Sequence, residues 1–335
     1  MRSAQAAFPM KRSSMHISVV VLQTAKLFLI LCLGVFLAKI EILDQHTKQK
    51  LTKLLLCVTT PLMMIDAFHD RMLTVAEQSG TGDISVGMLF FWSFLFYFIM
   101  IVLSCVLVFA MRVPKADLRL YLFMTIFGNV GFMGFPIVES VYGKEGLFYA
   151  AIVNSVFNIF VYTFGVVLMG GASAGGGSFL ETLRRIPWKK LLLTPAVICT
   201  VIGIVIFVFR IRLPALLADT CDTLGGLTSP LAMLVVGANL SQVRVRDVLR
   251  DKKLDLYVLL RQIALPLVFW VIIRPFVSHA VLAPTLLLMS CMPTANTSAL
   301  FATEYHGNEA LASQTIFLTT LFSMVSFPLI IWICT

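Results

Sequence analysis

The sequence predicts an all-α membrane protein of ten transmembrane helices, arranged as two inverted five-helix repeats. Three observations predict it. The chain is 59% hydrophobic and 13% charged, with mean hydropathy +0.93, whereas soluble domains carry about 25% charged residues. Its apolar runs are long and lack the two-residue alternation of barrel strands, so each span is a helix. Two of the runs are interrupted at matching places, 127–136 and 292–299, by Gly, Pro and Asn. Unwound polar backbone at membrane depth survives only where it is buried in protein or lines a cavity.

The elements follow in order. Arg2, Lys11 and Arg12 precede the first apolar run and imitate a signal peptide. That run is too long for an h-region of about 7–15 residues and no small-residue cleavage site follows, so it is span one, 17–39. Met15 sits directly before it, so residues 1–16 read as a short tail or an upstream start. Span two, 48–67, carries Thr59-Thr60-Pro61-Leu62-Met63-Met64, and a polar loop is expected from Asp70 to Ser85. Span three, 85–111, ends at Arg112, Lys115 and Arg119. Span four, 117–138, holds the first break, and Tyr142-Gly143-Lys144-Glu145 turns the chain into span five, 146–170. A Gly/Ser-rich and then basic stretch, 171–190, separates the halves. Spans six to ten fall near 191–210, 214–240, 254–278, 281–302 and 309–334. This gives a first repeat over 17–170, a linker over 171–190 and a second repeat over 191–335.

Five spans per half require that homologous halves insert with opposite orientation. Internal similarity supports the repeat. Thr228-Ser229-Pro230-Leu231-Ala232-Met233 echoes the span-two motif, and His306-Gly307-Asn308-Glu309-Ala310-Leu311 echoes the Tyr142 turn, in the same order. Placing both termini outside puts sixteen Lys and Arg in cytoplasmic loops against eight outside, the bias that sets topology. The same distribution explains the net charge of +9 without nucleic acid. The seven cysteines lie in apolar runs at no metal-ligand spacing and read as small buried hydrophobes.

In the first break Gly128, Gly131 and Gly134 recur every three residues, which permits close approach of another backbone. Pro136 removes a donor, and Asn129 offers amide donors and an acceptor. In the second break Pro293 interrupts the helix, and Asn296, Thr297 and Ser298 are polar. Half-helix N-termini present unpaired N–H groups and partial positive charge, so they hold an anion without a full cation. The plainer alternative is that the glycines serve packing and the asparagines bond a neighbouring helix. Pro61 and Pro230 are a matched pair of kinks, structural or facing a substrate. Asp222 is a candidate for ion coupling. Asp66, Asp219 and Glu139 lie near span ends where water reaches them, and Lys26 can snorkel. Asn154, Asn158 and Asn239 read as glue between helices. Nucleotide-binding, zinc-protease and hydrolase-elbow motifs are absent from the sequence, as is paired histidine spacing.

The segments G-N-V-G-F-M-G-F-P and M-P-T-A-N-T-S-A-L-F-A-T-E-Y resemble the auxin efflux carrier family, which includes plant PIN-type carriers and bacterial permeases. The likeness runs from about His16 to Trp332. It implies a bile-acid-symporter-like fold in which spans four and nine cross at their breaks. Spans one, two, six and seven would form a scaffold, and the rest a transport domain moving elevator-fashion. The implied cargo is a small organic anion, a carboxylate such as malate or an auxin-like acid, moved across the cytoplasmic membrane. Asn129 falls where the family's span-four Asn contacts the carboxylate, and Asn296 matches the polar crossover position of bacterial members. Gly131, Met133 and Thr297 complete the implied site. Gly128, Gly134, Pro136, Pro293, Pro61 and Pro230 would shape it. The short linker is similar to that of bacterial permeases. Expected partners are the anion and the bilayer, with room for a coupling proton or sodium ion and for a homodimer; no cofactor or metal is expected. Rival readings are a sodium-coupled symporter and a non-transporting sensor or scaffold.

Overall fold

The computed structural model describes residues 17–77, 85–170, 193–241, 252–277 and 279–334. The expected tail 1–16 and linker 171–190 lie outside the described residues. Within them the chain is helical, and seven helices are long and apolar enough to cross a membrane. Two shorter apolar helices, Val197–Val208 and Leu282–Cys291, join them.

The helices, in chain order, are α1 (Ile17–Lys39), α2 (Gln45–Leu54), α3 (Thr60–Glu77), α4 (Val86–Ala110), α5 (Leu118–Ile126), α6 (Phe135–Phe160), α7 (Val166–Gly170), α8 (Pro195–Val208), α9 (Ala215–Gly225), α10 (Thr228–Leu240), α11 (Lys252–Leu259), α12 (Leu265–Ile273), α13 (Leu282–Cys291), α14 (Thr297–Glu304) and α15 (Glu309–Cys334). One continuous stretch, Val130–Gly170, is 41 residues long. At 1.5 Å per residue that is about 60 Å, twice a bilayer core of about 30 Å. Gly143 divides it, with φ +61° and ψ −156° inside an otherwise helical run.

Four π turns interrupt the helices, at Leu55–Thr59, Val130–Gly134, Val161–Gly165 and Leu260–Ala264. In three of them a proline follows two residues after the turn, namely Pro61, Pro136 and Pro266. A proline ring collides with the carbonyl four residues back and leaves it without a donor. Each of these π turns closes just before its proline with a bond that spans five residues. Thr60 N–H donates to Leu55 O, Gly134 N–H to Asn129 O and Leu265 N–H to Leu260 O. Pro136 therefore opens the first turn of α6, where a missing N–H is harmless. The expectation that it breaks the span is corrected: the break lies upstream, at Phe127–Asn129.

Two packing groups emerge. α1 crosses α10 so closely that a Cβ on Gly237 would land on the Leu31 carbonyl oxygen, and one on Gly34 would land on that of Leu234. α3 packs on α8, where Gly203 meets the Phe68 ring, and on α9, where Gly225 meets the Met63 backbone. The other group joins α4, α5, α13, α12 and α15. α6 touches both groups, and α1 also packs on α15.

Helix α3 runs ten residues beyond the expected end of span two. The expected polar loop is helical as far as Glu77 because Arg71 is buried there and pairs with Glu145 at 3.1 Å. The cysteines also depart from expectation: Cys32 and Cys57 are exposed, and Cys199, Cys221 and Cys291 are buried.

Candidate functional site

The two breaks meet. Gly128 and Thr294 form an isolated antiparallel bridge. Asn129 N–H donates to Pro293 O at 2.7 Å, and Ala295 N–H donates to Phe127 O at 3.0 Å. Each break satisfies the other's backbone, which is what unwound chain at this depth requires. Pro293 drives Met292 out of the helical region, to φ −57° and ψ 138°, as a residue before proline prefers. The approach at Gly128 is tight: a Cβ would stand 3.1 Å from Met292 Cβ and 3.2 Å from Met292 O, so Met292 would have to give way.

Beside the crossing lies a cavity of about 210 Å³. Asn129, Asn154, Asn158, Asn296, Thr60, Thr297, Tyr162 and Thr194 give it polar walls, and Phe132, Phe135 and Phe157 give it apolar ones. Among the described residues, no Asp, Glu, Lys, Arg or His lines it. Its polarity comes from amides, hydroxyls and the N-terminal ends of two half-helices. Asn129 caps the first, accepting from Phe132 N–H through Oδ1 at 3.2 Å. That bond leaves the amide NH2 as the group able to donate to a bound molecule. Asn296 occupies the cap position of α14 without a side-chain capping bond. Behind it the hydroxyls of Thr297 and Ser298 are buried with no hydrogen-bond partner.

The expected residues divide by position. Asn129, Gly131, Asn296 and Thr297 line the cavity. Met133 is fully buried and does not line it. Among the glycines, Gly131 faces the cavity near Asn154 Oδ1, whereas Gly134 receives Met289 Sδ. Pro61 follows Thr60, which is on the cavity wall, and Pro230 lies in the first turn of α10. Asn154 and Asn158, expected to be glue, are cavity walls, and Asn158 Nδ2 donates to Asn154 O at 2.8 Å. Their four-residue spacing, which puts both on one helix face, is the sequence signal that marks them. Asn239 does not line the cavity.

Charge gathers elsewhere. Lys144 Nζ lies 2.8 Å from both Asp66 and Asp222. Arg71 pairs with Glu145 at 3.1 Å and donates to Tyr149 Oη at 3.2 Å, and Ser229 donates to Glu139 at 2.6 Å. Asp66 and Arg71 stand about 9 and 16 Å along α3 from the cavity residue Thr60. Asp66, expected to be near water, is buried, while the Asp222 side chain is 61% exposed and outside the cavity. Lys26 and Asp219 are exposed.

The sequence pattern of the membrane transport protein family matches residues 19–331. The chain belongs to this family, that of the auxin efflux carriers. Two archaeal proteins resemble it. An uncharacterized transporter of Methanocaldococcus jannaschii is 25% identical over 217 residues, covering 63% of this chain and 66% of that protein. An uncharacterized transporter of Methanothermobacter thermautotrophicus is 27% identical over 202 residues, covering 60% and 63%. The aligned region thus spans just under two thirds of each relative. Membership of the auxin efflux carrier family, together with these relatives, points to membrane transport and away from catalysis.

Proposed function

We propose that the protein is a secondary transporter of small organic anions, carboxylates foremost, working by alternating access. One observation carries the reading: the cavity where the two breaks cross, walled by amides and helix N-termini and, among the described residues, without a charged side chain. A carboxylate seated there accepts from Asn129 NH2 and from the hydroxyls at the start of α14, with both half-helix ends turned toward it. Among the described residues, carboxylate side chains, which would repel it, are missing from the walls. The volume lies below that of sites for drug-sized ligands, about 300–1,000 Å³, and fits a compact cargo.

In this reading the chain makes ten passes as two inverted repeats, 17–170 and 191–335, around the linker 171–190. Gly143 divides the long stretch into spans four and five, and α8 and α13 are the two short ones. α1, α3, α8, α9 and α10 form the fixed frame, and the helices around the crossing form the moving body. The cluster of Lys144, Asp66, Asp222, Arg71 and Glu145 joins frame to moving body, closing one side while the cavity faces the other. The lysine and arginine bias places the cluster outside and the cavity toward the cytoplasm, in a cytoplasmic membrane with both termini outside.

The test is uptake by proteoliposomes of radiolabelled malate and a panel of related acids. Saturable flux is expected, and it should be abolished in Asn129→Ala at equal reconstitution. Absence of flux for the whole panel, or unchanged kinetics in that variant, overturns the reading.

A further inference from the structure

Arg261 is the largest fully buried side chain described, 1% exposed, in the π turn between α11 and α12. No carboxylate pairs with it among the described residues. Its partners include two carbonyls at the crossing, while Nη2 is buried without a hydrogen-bond partner among the described residues. Nε donates to Met124 O at 2.9 Å, and Nη1 donates to Met292 O at 2.8 Å and to Gln262 Oε1 at 3.1 Å. Met124 O belongs to the last turn of α5, and Met292 caps the C-terminus of α13. The guanidinium therefore joins the negative ends of the two half-helices that stop at the breaks. Each such end carries roughly −0.5 of an elementary charge, so two of them balance about one cation.

The surroundings hold this arrangement in register. Gln262 donates to Thr319 O at 2.8 Å, Thr319 Oγ1 accepts from Thr294 N–H at 3.1 Å, and Thr294 Oγ1 donates to Met124 O at 3.4 Å. In carriers built on broken helices, such half-helix C-termini and unwound carbonyls are where a coupling cation is coordinated. Here those carbonyls already accept from a side chain.

We propose that Arg261 is a tethered cation, seated where a soluble coupling ion would otherwise bind between the half-helix C-termini. It acts as a positioning residue: it does not touch the cavity, and it fixes the two C-terminal ends so that the paired N-terminal ends keep their geometry. The wild-type crossing then takes up no sodium. This follows from the crossing alone and holds whatever the cargo is.

The experiment measures thermal unfolding of the purified full chain in detergent. Wild type should unfold at the same temperature in sodium chloride and in choline chloride of equal ionic strength; a sodium-specific rise overturns the proposal. Arg261→Ala should unfold several degrees lower and regain part of the loss in low-millimolar guanidinium chloride, with no gain from choline chloride. A folded Arg261→Ala that gains nothing from guanidinium over choline overturns it. Arg261→Lys and Arg261→Met separate charge from volume: lysine is expected to unfold at the higher temperature, and methionine equal or higher would sink the idea.

Discussion

Asn129 does two jobs with one side chain, and they can be pulled apart. Its Oδ1 caps the π turn, and its NH2 is free for a ligand. Asn129→Asp keeps the acceptor at a helix start, where a negative charge is favoured. That variant should unfold near the wild-type temperature yet lose anion uptake. Asn129→Ala should lose uptake and also about 1 kcal/mol of stability through the missing cap. Calorimetry beside uptake reads both. The glycines divide in the same way. Gly131→Ala adds a methyl at an ordinary contact distance, 3.6 Å from Asn154 Oδ1, so it should leave the unfolding temperature unchanged and raise KM. Gly128→Val pushes into Met292 and should lower it. The spacing of glycines at every third position made them look equivalent in the sequence. Only the course of the second break distinguishes them, because it alone decides which glycine meets backbone. Asn154 and Asn158 were undervalued for a related reason: an intramembrane amide reads the same whether its partner is a helix or a cavity.

At the scale of the element, the breaks were legible because helix breakers in apolar runs have few physical explanations. The residues that cause them were less so. A proline is disruptive inside a helix but not at its start, and Pro136 stands in the first turn of α6, just after a π turn. Nothing in a local sequence announces a π turn. Pro136→Ala is accordingly expected to change stability by less than about 1 kcal/mol. Pro293→Ala should be worse, since Met292 is then released to continue α13 and the bridge to Gly128 loses its partner. Circular dichroism melts of the two variants side by side check the order. The crossing of α1 with α10 permits no such latitude: Gly237→Ala places a Cβ on the Leu31 carbonyl oxygen, and the helices must separate. Loss of folded yield is expected from that single methyl.

For the whole molecule, hydropathy located the seven long apolar helices because lipid forces every backbone group into a helix. It misjudged the helix ends, where charged side chains pair with each other instead of with water, as Arg71 does with Glu145. The Lys144 cluster was invisible beforehand because its members come from three separate stretches of chain. If it closes one side of the carrier, Lys144→Gln should speed labelling of Thr297→Cys by a membrane-impermeant thiol reagent from that side several-fold, with the exposed Cys32 and Cys57 replaced beforehand. Equal rates with and without Lys144 would remove it from the gating scheme.

The bridge between Gly128 and Thr294 bears on how the protein is made. The residues at the first break leave the ribosome long before those at the second, and until then Phe127 O and Asn129 N–H lack the partners they have in the finished molecule. A chain ending at residue 170 should therefore be recognised by membrane quality control and degraded. Supplying residues 191–335 as a separate polypeptide should rescue it. In pulse–chase, the lifetime of the first fragment is expected to depend on the second, with Gly128→Val abolishing that protection.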